Sequence, residues 1–144
     1  MTPCRPAYSP ISPRMLSHAL GGYLRDFAWD HFATLTYRKK PLVEAVCRDF
    51  EHGWIRRLAW FTRRSVPYFY VIEPTTVGWP HIHALTAATA DLSLECMERG
   101  WKSGFTRIAR YRRDERGAAL YVTKALDRAM WWDFSDRRPP LLIG

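Results

Sequence analysis

Residues 68–87 read YFYVIEPTTVGWPHIHALTA, and this stretch decides the fold. Five of its first six residues (68–73, YFYVIE) are aromatic or β-branched, the composition of a strand. Pro74, Gly78 and Pro80 supply turn chemistry, and residues 81–87 (HIHALTA) resume an extended pattern. Two strands joined by so short a connection predict an antiparallel hairpin.

Working outward, residues 31–37 (HFATLTY) read as an earlier strand. Pro41 suits the first turn of a helix, in which Val43, Val46, Phe50, Trp54, Leu58 and Phe61 form an apolar stripe. Arg48, Arg56, Arg57, Arg63 and Arg64 fall mainly off that stripe. Downstream of the hairpin, Asp91 is the expected N-cap of a helix reaching Arg99. Residues 105–111 (FTRIARY) alternate as a fourth strand, and residues 117–130 predict a third helix. The order strand, helix, strand, strand, helix, strand, helix is that of an α+β, ferredoxin-like (split βαβ) antiparallel sheet. Helices are expected on one face, with the C-terminal one carrying Tyr121. Residues 1–30 are expected to be a proline-punctuated arm and a short helix over 14–26, residues 31–130 the domain proper, and residues 131–144 an extended or irregular tail. Trp54, Trp60 and Trp101 read as core, and Trp131–Trp132 as packing the last helix against the sheet.

The chain has 144 residues, 47% of them apolar, enough for one domain with a sizeable core. No stretch reaches the roughly 18 uncharged apolar residues of a spanning helix, and the proline-rich start has no secretory h-region. A soluble protein with no membrane partner is expected. Three cysteines, Cys4, Cys47 and Cys96, argue against a disulfide framework or a Cys-rich zinc site, and Cys47 and Cys96 read as small core residues. The net charge is +8 and arginine greatly outnumbers lysine, which favours a polyanionic partner bound through forked guanidinium contacts. There is no GxxxxGK loop, so no nucleotide cofactor is expected.

Chemistry concentrates in the hairpin. On a strand, His81 and His83 project to one face while Ile82 turns to the other. Two imidazoles at that spacing suit a metal, although chance exposed histidines have the same spacing. Glu73, at the end of the partner strand, can reach the same face and complete a His₂–carboxylate set for Mn²⁺ or Mg²⁺, or else cap the strand end or pair with an arginine. Tyr121 and Lys124 are three residues apart, so they share one side of the predicted helix. A tyrosine with a pKa of about 10 needs phenolate stabilisation to act as a nucleophile, which a nearby lysine and a metal provide. A tyrosine in an amphipathic helix is more commonly core or rim.

The motifs together resemble those of HUH endonucleases. His81-Ile82-His83, preceded by Pro80 and followed by Ala84-Leu85, looks like their His-hydrophobe-His motif. Residues 32–37 (FATLTY) resemble the first motif of rolling-circle replication initiators, and Tyr121-Val122-Thr123-Lys124 is similar to their Tyr-x-x-Lys motif. Glu73 stands where initiators of small circular single-stranded DNA viruses keep an acidic ligand. The resemblance covers about residues 31–128, with the motifs in family order. It implies that Glu73, His81 and His83 hold a divalent ion, and that Tyr121 attacks the scissile phosphate to leave a 5′-phosphotyrosine and a free 3′-hydroxyl. Lys124 would orient or neutralise that phosphate, and strand rejoining is possible. The partner it implies is single-stranded DNA, at an origin or a hairpin loop. With no helicase domain in this sequence, unwinding is left to a separate helicase or to sequence beyond this chain. The implied location is the host cytoplasm, or the nucleus for a eukaryotic virus.

Arg107, Arg110, Arg112 and Arg113 cluster before the tyrosine helix and suit phosphate contacts. Trp79, in the hairpin loop, suits stacking on an unpaired base and equally a hydrophobic lid. Rival readings are a single-tyrosine transposase or relaxase-like protein of the same superfamily, and a non-catalytic nucleic-acid-binding module of ferredoxin-like fold. The Tyr-x-x-Lys spacing and the upstream acid favour the initiator.

Overall fold

The hairpin forms from β2 (Tyr68–Pro74) and β3 (Pro80–Thr86), paired antiparallel from Tyr68↔Thr86 to Pro74↔Pro80. Its turn closes through the Thr75 N–H, which donates to Trp79 O at 2.7 Å, and the Gly78 N–H, which donates to Thr75 O at 2.8 Å. Gly78 has φ 87°, the left-handed region that glycine enters without steric cost. The computed structural model describes residues 13–112 and 128–142.

Around the hairpin, β1 (His31–Leu35) pairs with β3, β4 (Thr106–Arg110) pairs with β1, and β5 (Trp131–Phe134) pairs with β2. The sheet order is β4-β1-β3-β2-β5, with every pairing antiparallel. A helical run crosses from β1 to β2: α2 (Val43–Arg48), a π-helical segment (Asp49–Ile55) and α3 (Arg56–Thr62). A short α4 (Leu94–Arg99) crosses from β3 to β4. Each crossover passes over one intervening strand, which is the split βαβ arrangement, and the α+β fold is as the motif order predicts. In addition, α1 (Pro13–Leu24) precedes the sheet. Among the described residues no helix is long and apolar enough to cross a membrane.

One face of the sheet, carrying Ala33, Leu35, Tyr70, Ile72, Ile82 and Ala84, packs against Val46, Phe50, Trp54 and Leu58 of the helical run. These four helical residues recur every fourth position. Such spacing overshoots the 3.6 residues of an α-turn, so a pure α-helix would carry the stripe around its surface. The wider π turn in the middle takes up the excess and keeps Phe50, Trp54 and Leu58 facing the sheet. The Trp54 indole N–H donates to Met97 O at 2.9 Å and ties the run to the end of α4. The opposite face carries Phe69, Val71 and Leu85, which Leu24, Phe27 and Trp29 cover.

Several expectations are corrected. Residues 131–134, in the tail expected to be extended or irregular, form a strand, because the extended WWDF segment pairs with the outer edge of β2. Trp60 is 76% exposed: two positions past Leu58, it lies nearly half a turn round from the sheet-facing stripe. Val43 and Phe61, at the ends of the stripe, are also exposed. Ser93 caps α4, its hydroxyl accepting from the Cys96 N–H at 3.1 Å. Asp91 instead accepts from the Thr62 hydroxyl at 2.8 Å and from Arg64 at 2.6 Å. Cys47 is buried and disulfide-bonded, since an odd cysteine count excludes only complete pairing, while Cys96 is free. The helix expected over residues 117–130 falls, as far as residue 127, outside the described residues.

Trp54→Ala is expected to cost about 3–5 kcal/mol in urea unfolding, through the cavity and the lost bond to Met97. Trp60→Ala should stay within about 0.5 kcal/mol of wild type. Equal losses for the two would mean that the helical run packs through a different face.

Candidate metal centre and cleft

Antiparallel register brings the candidate ligands together. Glu73 pairs directly with His81, so their side chains leave the sheet on one face, and His83 follows two residues along that face. His81 Nε2 lies 3.2 Å from Glu73 Oε1 and 2.8 Å from His83 Nε2, and His83 Nε2 lies 3.8 Å from the same carboxylate oxygen. One ligand atom from each of the three lies within 4.8 Å of the others, so the cluster could hold a metal ion. Glu73 and His83 are buried, and His81 is slightly more open.

The polar bookkeeping of this cluster fits a cation. Thr34 Oγ1 lies 3.2 Å from His83 Nδ1, so a proton on that nitrogen has an acceptor and leaves the Nε2 lone pair directed at the cluster. His81 Nδ1 is buried with no hydrogen-bond partner among the described residues. Two imidazole nitrogens facing each other beside a carboxylate repel as lone pairs unless a proton or a metal lies between them. Burial pushes both imidazoles below the usual histidine range. His83 falls to about 4, through burial and then the neighbouring His81 charge; for His81 the Glu73 carboxylate opposes the effect of burial. Near neutral pH both rings are therefore uncharged, the form that ligates metal.

The histidines open onto a cleft of about 450 Å³, lined by Thr34, Thr36, Thr75, His81, His83, Phe105, Thr106 and Arg107. Arg107 pairs with Thr34, which in turn pairs with His83, so the three form a row across β4, β1 and β3. Phe32 stacks on the His83 ring, with centroids 6.3 Å apart and planes 13° from parallel. Arg128 Nη2 lies 3.9 Å from Glu73 Oε1, and its side chain is largely exposed.

Of the residues singled out from sequence, His81, His83 and Arg107 line this cleft, and Glu73 is buried against the two histidines. Arg110 pairs with His31 and, three positions from Arg107, leaves the strand on the opposite face, where burial and then the Arg110 charge hold the His31 imidazole below its usual range. Arg112 is exposed just beyond β4. Trp79 is half-buried in the hairpin turn and does not line the cleft. Arg113, Tyr121 and Lys124 lie outside the described residues. Sequence reasoning missed Thr34, Phe105 and Arg128. The alternation of Phe32 and Thr34 in β1, continued by Thr36 just beyond it, was the available signal for Thr34, whereas nothing local marks Arg128 as a neighbour of Glu73.

Searches among curated proteins and among solved structures each returned no match. Residues 30–129, more than half of the chain, match the family described as Replication-associated protein ORF2. The matched region runs from just before β1 through the hairpin and β4, and includes the positions of Tyr121 and Lys124. The chain therefore belongs to the ORF2 family of replication-associated proteins.

Proposed function

We propose that this protein is a replication initiator that nicks single-stranded DNA, with Glu73, His81 and His83 holding Mn²⁺ or Mg²⁺ and Tyr121 as the nucleophile. The observation that carries this reading is the convergence of those three ligand atoms, with both histidines lining an open cleft, in a member of a replication-associated family. Family membership implies DNA as a partner in general. A divalent ion at this site would supply positive charge against the oxygens of the scissile phosphate.

The chain's own groups supply the rest. The Tyr121 oxygen forms a bond to phosphorus as the bond from phosphorus to the 3′ oxygen breaks. The phenol loses its proton and the departing 3′ oxygen gains one, leaving a 5′-phosphotyrosine and a 3′-hydroxyl. One phosphodiester is exchanged for another, so attack by the 3′-hydroxyl reverses the step and rejoins the strand. Lys124, one helical turn from Tyr121 in the sequence reading, neutralises the phosphate under attack. Arg107, at the edge of the cleft, contacts a neighbouring phosphate.

Three tyrosines of the core are poor alternatives to Tyr121. Tyr37 donates to Asp49 at 2.9 Å, while Tyr68 and Tyr70 donate to Glu51 at 2.7 and 3.0 Å. All three pack into the helix-covered core, where burial, reinforced by those carboxylates, pushes the phenols far above their usual range. A phenol held neutral in that way is a poor nucleophile. The open-sheet binding module is disfavoured as well, since Phe69 and Leu85 in the central strands are buried under Leu24, Phe27 and Trp29.

With Mn²⁺ and a single-stranded origin oligonucleotide, the wild-type protein is expected to give a covalent protein–DNA band on a denaturing gel. Tyr121→Phe should abolish the band and leave strand binding nearly unchanged; a surviving band would move the nucleophile to another tyrosine. Thr34→Val should weaken Mn²⁺ binding, measured by calorimetry, by about 10–100-fold, because His83 loses its orienting partner, and Thr34→Ser should retain the affinity. Equal Mn²⁺ affinity for Thr34→Val and wild type would show that this hydroxyl does not orient His83.

A further inference from the structure

Phe105 is 65% exposed at the lip of the cleft, on a backbone that is tightly held. Its N–H donates to Thr36 O at 3.1 Å, and its carbonyl accepts from the Thr36 N–H at 2.9 Å and the Thr36 hydroxyl at 3.3 Å. The Arg38 N–H donates to Ser103 O at 2.9 Å, and the Trp101 indole N–H donates to Thr36 O at 2.9 Å. Between them, Gly104 lies so close to the neighbouring chain that an added Cβ would fall 2.1 Å from Thr36 O and 2.7 Å from Arg38 N. Only glycine allows that approach. The fold thus fixes the backbone beneath Phe105 while leaving its ring in water.

The surroundings of the ring are basic. The Arg38 guanidinium carbon lies 5.9 Å from the ring centroid, and Arg38, Lys39 and Lys40 form an exposed run. Arg107, two residues along from Phe105, shares its face of the edge strand and lines the same cleft. Phe105 pairs with Thr36, which stands one position past the Leu35↔Ile82 pair and hence beside His81. Two strand spacings, roughly 10 Å, separate Phe105 from His81 along that row. A rigidly mounted, exposed aromatic flanked by guanidinium and ammonium groups suits an unpaired base and its phosphates.

We propose that Phe105 is the stacking platform for an unpaired base of the DNA strand entering the cleft, with Arg107 beside it along the edge strand and Arg38, Lys39 and Lys40 on its other side holding the backbone. The inference rests on the cleft being the DNA site and requires no nicking. The strand leaves the metal centre across Thr36 and passes over the β4 edge of the sheet.

The test is fluorescence anisotropy in EDTA, where no cleavage intervenes, with a short randomised DNA single strand and a fully abasic strand of equal length. Phe105→Ala should weaken binding of the base-bearing strand by about 10-fold and leave binding of the abasic strand unchanged. Phe105→Trp should restore the preference for bases. Arg38→Ala should weaken binding of both strands alike and lower the salt slope by about one. Thermal unfolding of Phe105→Ala should match wild type. An equal loss on both strands, no loss on either, or no binding of the randomised strand by wild type would overturn the inference. The Tyr121→Phe gel reports on nicking independently, so a failed nicking reading leaves the base preference of Phe105 to stand or fall by itself.

Discussion

The antiparallel register of β2 on β3 places Glu73 opposite His81, and the candidate metal centre depends on that pairing. A slip of one residue would turn every side chain of one strand to the other face. It would drive His81 and His83, or else Glu73, into the core beneath Phe50, Trp54 and Leu58, where polar groups lack partners. The turn at Gly78 and burial along both faces of the central strands hold the register against that alternative.

The two faces of the sheet are used differently. The helical run seals one face, its π-helical segment keeping the stripe in line and Glu51 accepting from the phenols of two β2 residues, Tyr68 and Tyr70. Among the described residues, the other face is covered only in part. Leu24, Phe27 and Trp29 close the end that carries Phe69 and Leu85, and the cleft occupies the end that carries the histidines. Along β3 burial therefore relaxes step by step: Leu85 is 0% exposed, the His83 side chain 3% and the His81 side chain 14%. This gradient keeps the imidazoles dry enough to stay neutral while leaving the centre accessible from the cleft.

The features legible from sequence are those that depend on short separations. Glu73 and the histidines stand across one hairpin, so strand periodicity suffices to bring them to one face. The stripe of Val46, Phe50, Trp54 and Leu58 was legible for the same reason, but the π turn that keeps it straight was not, and Trp60 shows how a tryptophan off the stripe misleads a reading by composition. The WWDF strand depended on a free edge of β2 about sixty residues earlier in the chain, which no local pattern announces.

By itself, the sequence determined the hairpin, the alternation that sends His81 and His83 to one face, the basic charge and the order of elements that selects a split βαβ sheet. These follow from local propensity and period, which act between near neighbours. Tertiary structure alone decided that Thr34 from β1 meets His83, that Arg107 and Phe105 border the same cleft, that Arg128 approaches Glu73 and that Arg110 faces away. Each of those depends on the register between strands distant in sequence. Register is set by which faces bury together, a property of the assembled sheet rather than of any one segment.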